Sequence, residues 1–155
     1  MVCRDWWVVC RKGWLHICQH IPQRVQRGRG VVCADFDNDG DVDLLLLHRN
    51  ETNAVTLWEN RLRENVDYLG VVLRGAAPNT NAVGARITVS VAGTQQMREV
   101  SLGSNFASHN DTRQLFGLGA TSTVDWVRVE WPNGQQSEFT NVPANQYLEI
   151  VHPKR

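Results

Sequence analysis

The chain has 155 residues, and its 16 basic side chains balance its 16 acidic ones, leaving a formal net charge of zero. That length supports one domain or two small ones with a real core, and the charge balance offers no handle for nucleic acid or an anionic membrane surface. The longest apolar runs, Trp6 to Cys10 and Leu44 to Leu47, are far too short to span a bilayer.

The first stretch, residues 1–28, is ill-defined. It is crowded with Trp and with Arg4, Arg11, Lys12, Arg24 and Arg27 against a single Asp5, and it shows no clean strand alternation. Arg11 and Lys12 interrupt the apolar region before it could serve as a signal peptide. All four cysteines, Cys3, Cys10, Cys18 and Cys33, fall in the first part of the chain, and the expectation is free thiols. His16, Cys18 and His20 alternate as they would on one face of a strand, but they lack the paired spacing of a zinc site and are not taken as ligands.

Short strands are expected next, over Val31 to Asp35, Val42 to Leu47 and Ala54 to Glu59. Between the first two lies the segment Asp35-Phe36-Asp37-Asn38-Asp39-Gly40-Asp41-Val42-Asp43, with five carboxylates in nine residues. Without a cation these groups repel one another. Calcium takes six to eight oxygens at ~2.3–2.6 Å from a flexible cage, and alternate residues of a tight loop can aim side chains inward. Counted from Asp35, the residues Asp37 and Asp39 stand third and fifth, and Gly40 stands sixth, where the chain must turn sharply. Asp41 then offers a backbone carbonyl, and Asp43 ligates directly or through water. The twelfth position is Leu46 rather than a glutamate, and strands rather than helices flank the loop, so the pattern is not an EF-hand. The expectation is one Ca²⁺ ion on Asp35, Asp37, Asp39, Asp41 and Asp43, with magnesium disfavoured because it retains its waters.

Asn60 to Asp67 is polar and without alternation, which marks a boundary between a unit at 29–60 and a second at 67–152. In the second unit, Tyr68 to Arg74 is apolar and β-branched. Ile87, Val89 and Val91 alternate with small polar residues, as do Val127, Val129 and Trp131 with Arg128 and Glu130. Pro132-Asn133-Gly134 is a turn, and Gln136 to Phe139 and Tyr147 to Val151 are returning strands. No helix of three turns is apparent, so the fold class is all-β, with a small sandwich-like domain expected to fold by itself. The polar cluster Ser104, Ser108, His109, Asp111 and Arg113 is the one candidate for catalysis. Members this close in sequence converge poorly into a triad, and the competing reading is a solvated loop. Of the tryptophans, Trp131 shares a face with Val127 and Val129 and is expected in the core, whereas Trp126 points the other way, where an exposed ring would suit a glycan. Asn50-Glu51-Thr52 and Asn110-Asp111-Thr112 fit the N-glycosylation pattern.

The run Val32-Cys33-Ala34-Asp35 to Asp43-Leu44 resembles the FG-GAP/VCBS repeat of integrin-like β-propellers. The downstream unit resembles the ASPIC/UnbV domain. The residues that carry this are Ala82-Val83-Gly84-Ala85-Arg86, Gly103-Ser104-Asn105-Phe106, Leu115 to Gly119, Val129 to Gly134 and Asn141 to Gln146. Asn105-Phe106 departs from the Gly-Tyr usual there. These resemblances imply a single partial propeller blade at 29–60 whose loop holds calcium, in a secreted, periplasmic or extracellular protein. They further imply a non-enzymatic binding or adhesion module with an unknown protein or glycan ligand. Only one blade precedes the domain, and Leu44 to Leu47 needs cover on both faces. Further blades are therefore expected upstream, with residues 1–28 not a native start and the isolated chain prone to associate through its N-terminal half.

Overall fold

A computed structural model describes residues 6–10, 13–17, 28–48, 55–60, 66–105 and 109–153, with side chains for all of these except 6–10, 13–17, 28–29 and 48. The described residues form strands and turns with no helix. β1 (Trp6–Cys10) and β2 (Gly13–Ile17) pair as an antiparallel hairpin, within the stretch that shows no clean strand alternation in sequence. The possible ligand set of His16, Cys18 and His20 lies outside the described side chains.

β3 (Gly28–Ala34), β4 (Asp43–His48) and β5 (Val55–Trp58) form a three-stranded antiparallel meander. Ala34 pairs with Asp43, so the strands pinch together where the acidic segment leaves and re-enters the sheet. Leu44 is buried, but Leu47, Val55 and Leu57 are 39%, 51% and 51% exposed. Leu45 pairs with Leu57 and Leu47 with Val55, so these apolar side chains share one open face.

The remaining strands build a sandwich of two sheets. β6 (Asp67–Arg74) is central in one, between β9 (Gln114–Gly119) and β12 (Gln146–Val151). β6 runs antiparallel to β9 and parallel to β12. The other sheet has the order β11 (Gln136–Pro143), β10 (Thr123–Glu130), β7 (Arg86–Val91), β8 (Thr94–Glu99), all antiparallel. Inward-facing Leu69, Val71, Phe116 and Ile150 of the first sheet meet Ile87, Val89, Val127 and Val129 of the second in one buried core. Trp131 closes that core as expected, donating its indole N–H to Ser137 Oγ at 2.9 Å and taking the His152 ring edge-on. Trp126 is half-buried on the opposite face, with the Arg128 guanidinium 4.8 Å over its ring, so it does not offer a bare aromatic platform.

β8 and β9 had no counterpart in the strand expectations. β8 follows β7 through the two-residue turn Ala92-Gly93, both at positive φ, where Ala replaces the Asn or Asp that usually signals such a turn. As an edge strand carrying Gln, Arg and Glu, it also lacks an apolar face.

Candidate functional site

The acidic segment is a loop folded around its own carboxylates. Asp35 Oδ1 accepts the Asp39 N–H and its Oδ2 accepts the Gly40 N–H, at 3.1 and 2.9 Å. Asp37 Oδ1 accepts the same Asp39 N–H at 3.2 Å, and Asp39 Oδ1 accepts the Asp41 N–H at 3.1 Å, the local side-chain-to-backbone bonds that Asp favours in turns. Asp43 is 1% exposed and bridges outward. Its Oδ2 accepts the Phe36 N–H at 2.9 Å, and its Oδ1 accepts the Asn60 N–H at 2.8 Å, tying the loop to the chain beyond β5. Two residues take left-handed backbone, Asn38 at φ 61° and Gly40 at φ 96°. Gly40 is required twice over, because a Cβ there would lie 2.1 Å from the Tyr68 ring.

Asp35, Asp37 and Asp39 each bring an oxygen to within 4.8 Å of the others, a spacing that one cation could bridge. Asp41, expected to offer its backbone carbonyl, has both of its carboxylate oxygens buried with no hydrogen-bond partner. Burial pushes its carboxyl up to about 7, with help from the surrounding Asp39, Asp43, Asp37 and Asp35 charges. A buried carboxylate without a partner is costly. A hard cation with oxygen preference would remove that cost, so the donor set fits calcium.

The loop is docked on the outer face of the sheet β12-β6-β9. Tyr147 lies over Gly70, where an added Cβ would meet its ring at 2.2 Å, and its hydroxyl donates to Asp35 Oδ2. That contact and burial, burial foremost, hold the phenol well above its ordinary range. Arg113 stacks 4.9 Å over the Tyr147 ring. It donates through Nη2 to the Asp35 carbonyl and through Nη1 to Asn38 Oδ1, both at 2.6 Å, while its Nε pairs with Asp111. β3 is held from the same side. The Cys33 N–H donates to Asn110 Oδ1 at 3.0 Å, the Asp111 N–H donates to the Cys33 carbonyl, and Asn105 Nδ2 donates to the Val31 carbonyl at 2.8 Å. A cleft between the two units is lined by Ala34, Asp35, Val42, Leu115 and Tyr147 among others.

These contacts change the reading of the polar cluster at 104–113. Ser104 Oγ accepts the Asn110 N–H, exposed His109 turns Nδ1 towards the Asn110 carbonyl, and Asp111 holds Arg113. Ser104, His109 and Asp111 therefore do not converge as a triad, and Ser108 lies outside the described residues. Neither is the segment a solvated loop, because it clamps the acidic unit. Asn110, which fits a glycosylation pattern, has its amide oxygen committed to Cys33 and Asn105. Cys33 itself is disulfide-bonded, which corrects the free-thiol expectation; its partner is not among the described side chains. Sequence reasoning did not single out Tyr68, Gly70 or Tyr147 for the site. The available signal was an isolated glycine in an apolar strand, which marks close approach of another group.

A family model described as ASPIC and UnbV matches residues 75–155. The chain is 30% identical over 132 residues to cartilage acidic protein 1 of Homo sapiens, an alignment covering 83% of this chain and 20% of that protein. Identity to cartilage acidic protein 1 of Mus musculus is 31% over 135 residues, with the same coverage, and to that of Xenopus tropicalis 27% over 133 residues. The chain thus spans about a fifth of the length of the curated relatives it matches. No helix among the described residues is long and apolar enough to cross a membrane.

Proposed function

The chain belongs to the ASPIC and UnbV family, and on that premise we propose that it is a non-enzymatic, extracytoplasmic binding or adhesion module whose Asp35–Asp43 loop holds one structural calcium ion. The observation that carries the reading is the Asp41 carboxylate, buried with both oxygens unpartnered beside three other converging carboxylates. Asp35, Asp37, Asp39 and Asp41 would hold the ion, which supplies positive charge to a cage that otherwise repels itself. Asp43 serves the cage differently, by fixing the backbone at Phe36 and Asn60. The loop at a β-hairpin and the FG-GAP-like spacing favour a propeller-type repeat for 29–60, followed by the family domain at 67–152. The open apolar face with Leu47, Val55 and Leu57 fits a neighbouring blade of a longer protein. The cartilage setting in the relatives' name supports an extracellular place, and the ligand class is a protein or glycan.

Calorimetric titration with calcium is the direct test. Binding at about 10⁻⁴ to 10⁻³ M is expected, as for extracellular modules. Asp37→Ala removes a ligand that is exposed and makes only a local backbone bond, so it should abolish the heat without unfolding the chain. An unchanged titration in that variant would remove the assignment.

The same loop predicts a pH dependence. With the Asp41 carboxyl at about 7 in the folded protein and 3.8 ordinarily, the unfolded chain ionises first as pH rises between those values. The cation-free loop therefore loses stability across that window, and the penalty is complete above it. Cation uptake must displace the Asp41 proton below about pH 7, so affinity should weaken about tenfold from pH 8 to pH 6, with close to one proton released per ion at pH 6. Calorimetry in buffers of different ionisation enthalpy measures that proton. Asp41→Asn should bind more weakly and release none; proton release persisting in it would assign the titration to another group.

A further inference from the structure

We infer that Arg113 and Tyr147, both in the sandwich, are positioning residues for the acidic loop, so that the loop's cation affinity is set partly by a domain that contributes no ligand. The inference rests on the calcium reading above. The observations are geometric. Tyr147 reaches Asp35, the first carboxylate of the loop, with its hydroxyl. Arg113 grips the same residue through its carbonyl and takes Asn38, at the tip, with the other arm of its guanidinium. Two points of a loop full of like charges are thereby fixed from outside. Arg113 brings little net charge to the cage, because Asp111 pairs with it. Its part is therefore aim rather than attraction, and the planar fork that spans two acceptors is a geometry lysine cannot reproduce.

Clustered carboxylates spread apart when no ion is present, and binding must then pay for drawing them together. Tethers that hold Asp35 and Asn38 in place remove part of that cost before the ion arrives. Linkage makes the effect reciprocal: an ion that favours the docked loop also strengthens the docking of the loop unit on the sandwich.

The experiment uses the full chain and calcium alone. Tyr147→Phe and Arg113→Lys keep shape and charge respectively, and each should weaken calcium binding about tenfold. In a cycle with Asn38→Gly, which removes the amide at a position already at φ 61°, the effects of Arg113→Lys and Asn38→Gly on affinity should be less than additive, because both cut one contact. General loosening of the sandwich would instead add to the effect of Asn38→Gly. Calcium should also perturb the near-ultraviolet absorbance of the wild-type tyrosines, a signal that should shrink in Tyr147→Phe. Wild-type affinity in both variants, or a fully additive cycle, overturns the inference while leaving the calcium site standing. Absence of calcium binding in the wild-type chain removes both.

Discussion

Asp43→Ala should lower the unfolding free energy of the cation-free chain by roughly 2–3 kcal/mol and weaken calcium binding beyond measurement. Asp43 is 1% exposed, and each of its oxygens accepts a backbone N–H, from Phe36 and from Asn60. A hydrogen bond to a charged group contributes about 1.5–3 kcal/mol, and removing the acceptor leaves two donors without a partner. Relief of repulsion with the other carboxylates works the other way, which is why the expectation stands below the sum of two such bonds. Urea unfolding in excess chelator gives the first quantity and calcium titration the second. Asp43→Asn keeps one acceptor oxygen and should fall between the two. A chain that unfolds at the same urea concentration after Asp43→Ala would mean that the backbone alone holds the loop.

Phe116→Ala carries the second large effect. Phe116 is fully buried in β9 and belongs to the core on which both sheets of the sandwich close, with the Arg98 guanidinium 5.4 Å from its ring centre. Truncating a buried phenylalanine costs about 3–5 kcal/mol through lost transfer energy and the cavity left behind. For a domain of this size that corresponds to a fall of roughly 15–30 °C in the unfolding midpoint. Differential scanning calorimetry reads it directly. A fall of only a few degrees would mean that β9 is a peripheral strand rather than a wall of the core. Calcium affinity measured well below the new midpoint should be unaltered, since Phe116 faces away from the surface where the loop docks.

The parts of this fold that could be read from the sequence are those written in short-range spacing. The Asp-x-Asp-x-Asp-Gly run could be read as a cluster of carboxylates because they all lie within one short loop. Val127, Val129 and Trp131 announce β10 and its buried end because alternation is local. Contacts between distant residues leave no such trace. The parallel pairing of β12 with β6 joins residues 77 apart, and nothing in either strand's own pattern encodes that choice. The cluster at 104–113 read as a loop or a weak catalytic candidate because its true partners, Val31, Cys33, Asp35 and Asn38, lie far upstream. β9 was hidden for a local reason: Phe116 and Leu118 alternate, but Gly117 and Gly119 stand at the outward positions, where strand-favouring side chains would have marked the run as a strand rather than a turn. Nor does a position count reveal that the Asp41 carboxylate is buried without a hydrogen-bond partner.

The placement of β6 also sets an order of events during synthesis. β6 is central in its sheet, yet both of its neighbours come later in the chain, and β12 is the last of the described strands. The hairpins β7-β8 and β10-β11 can close as soon as they emerge, because their partners are adjacent. The acidic loop is made before any of them, but Tyr147 rides on β12, so its hydroxyl reaches Asp35 only when the final strand has been delivered and zipped along β6. A nascent chain halted before β12 would carry a complete set of carboxylates and an incomplete anchor. The ion-binding unit is thus translated before the sandwich that anchors it, and reaches its finished geometry only after it.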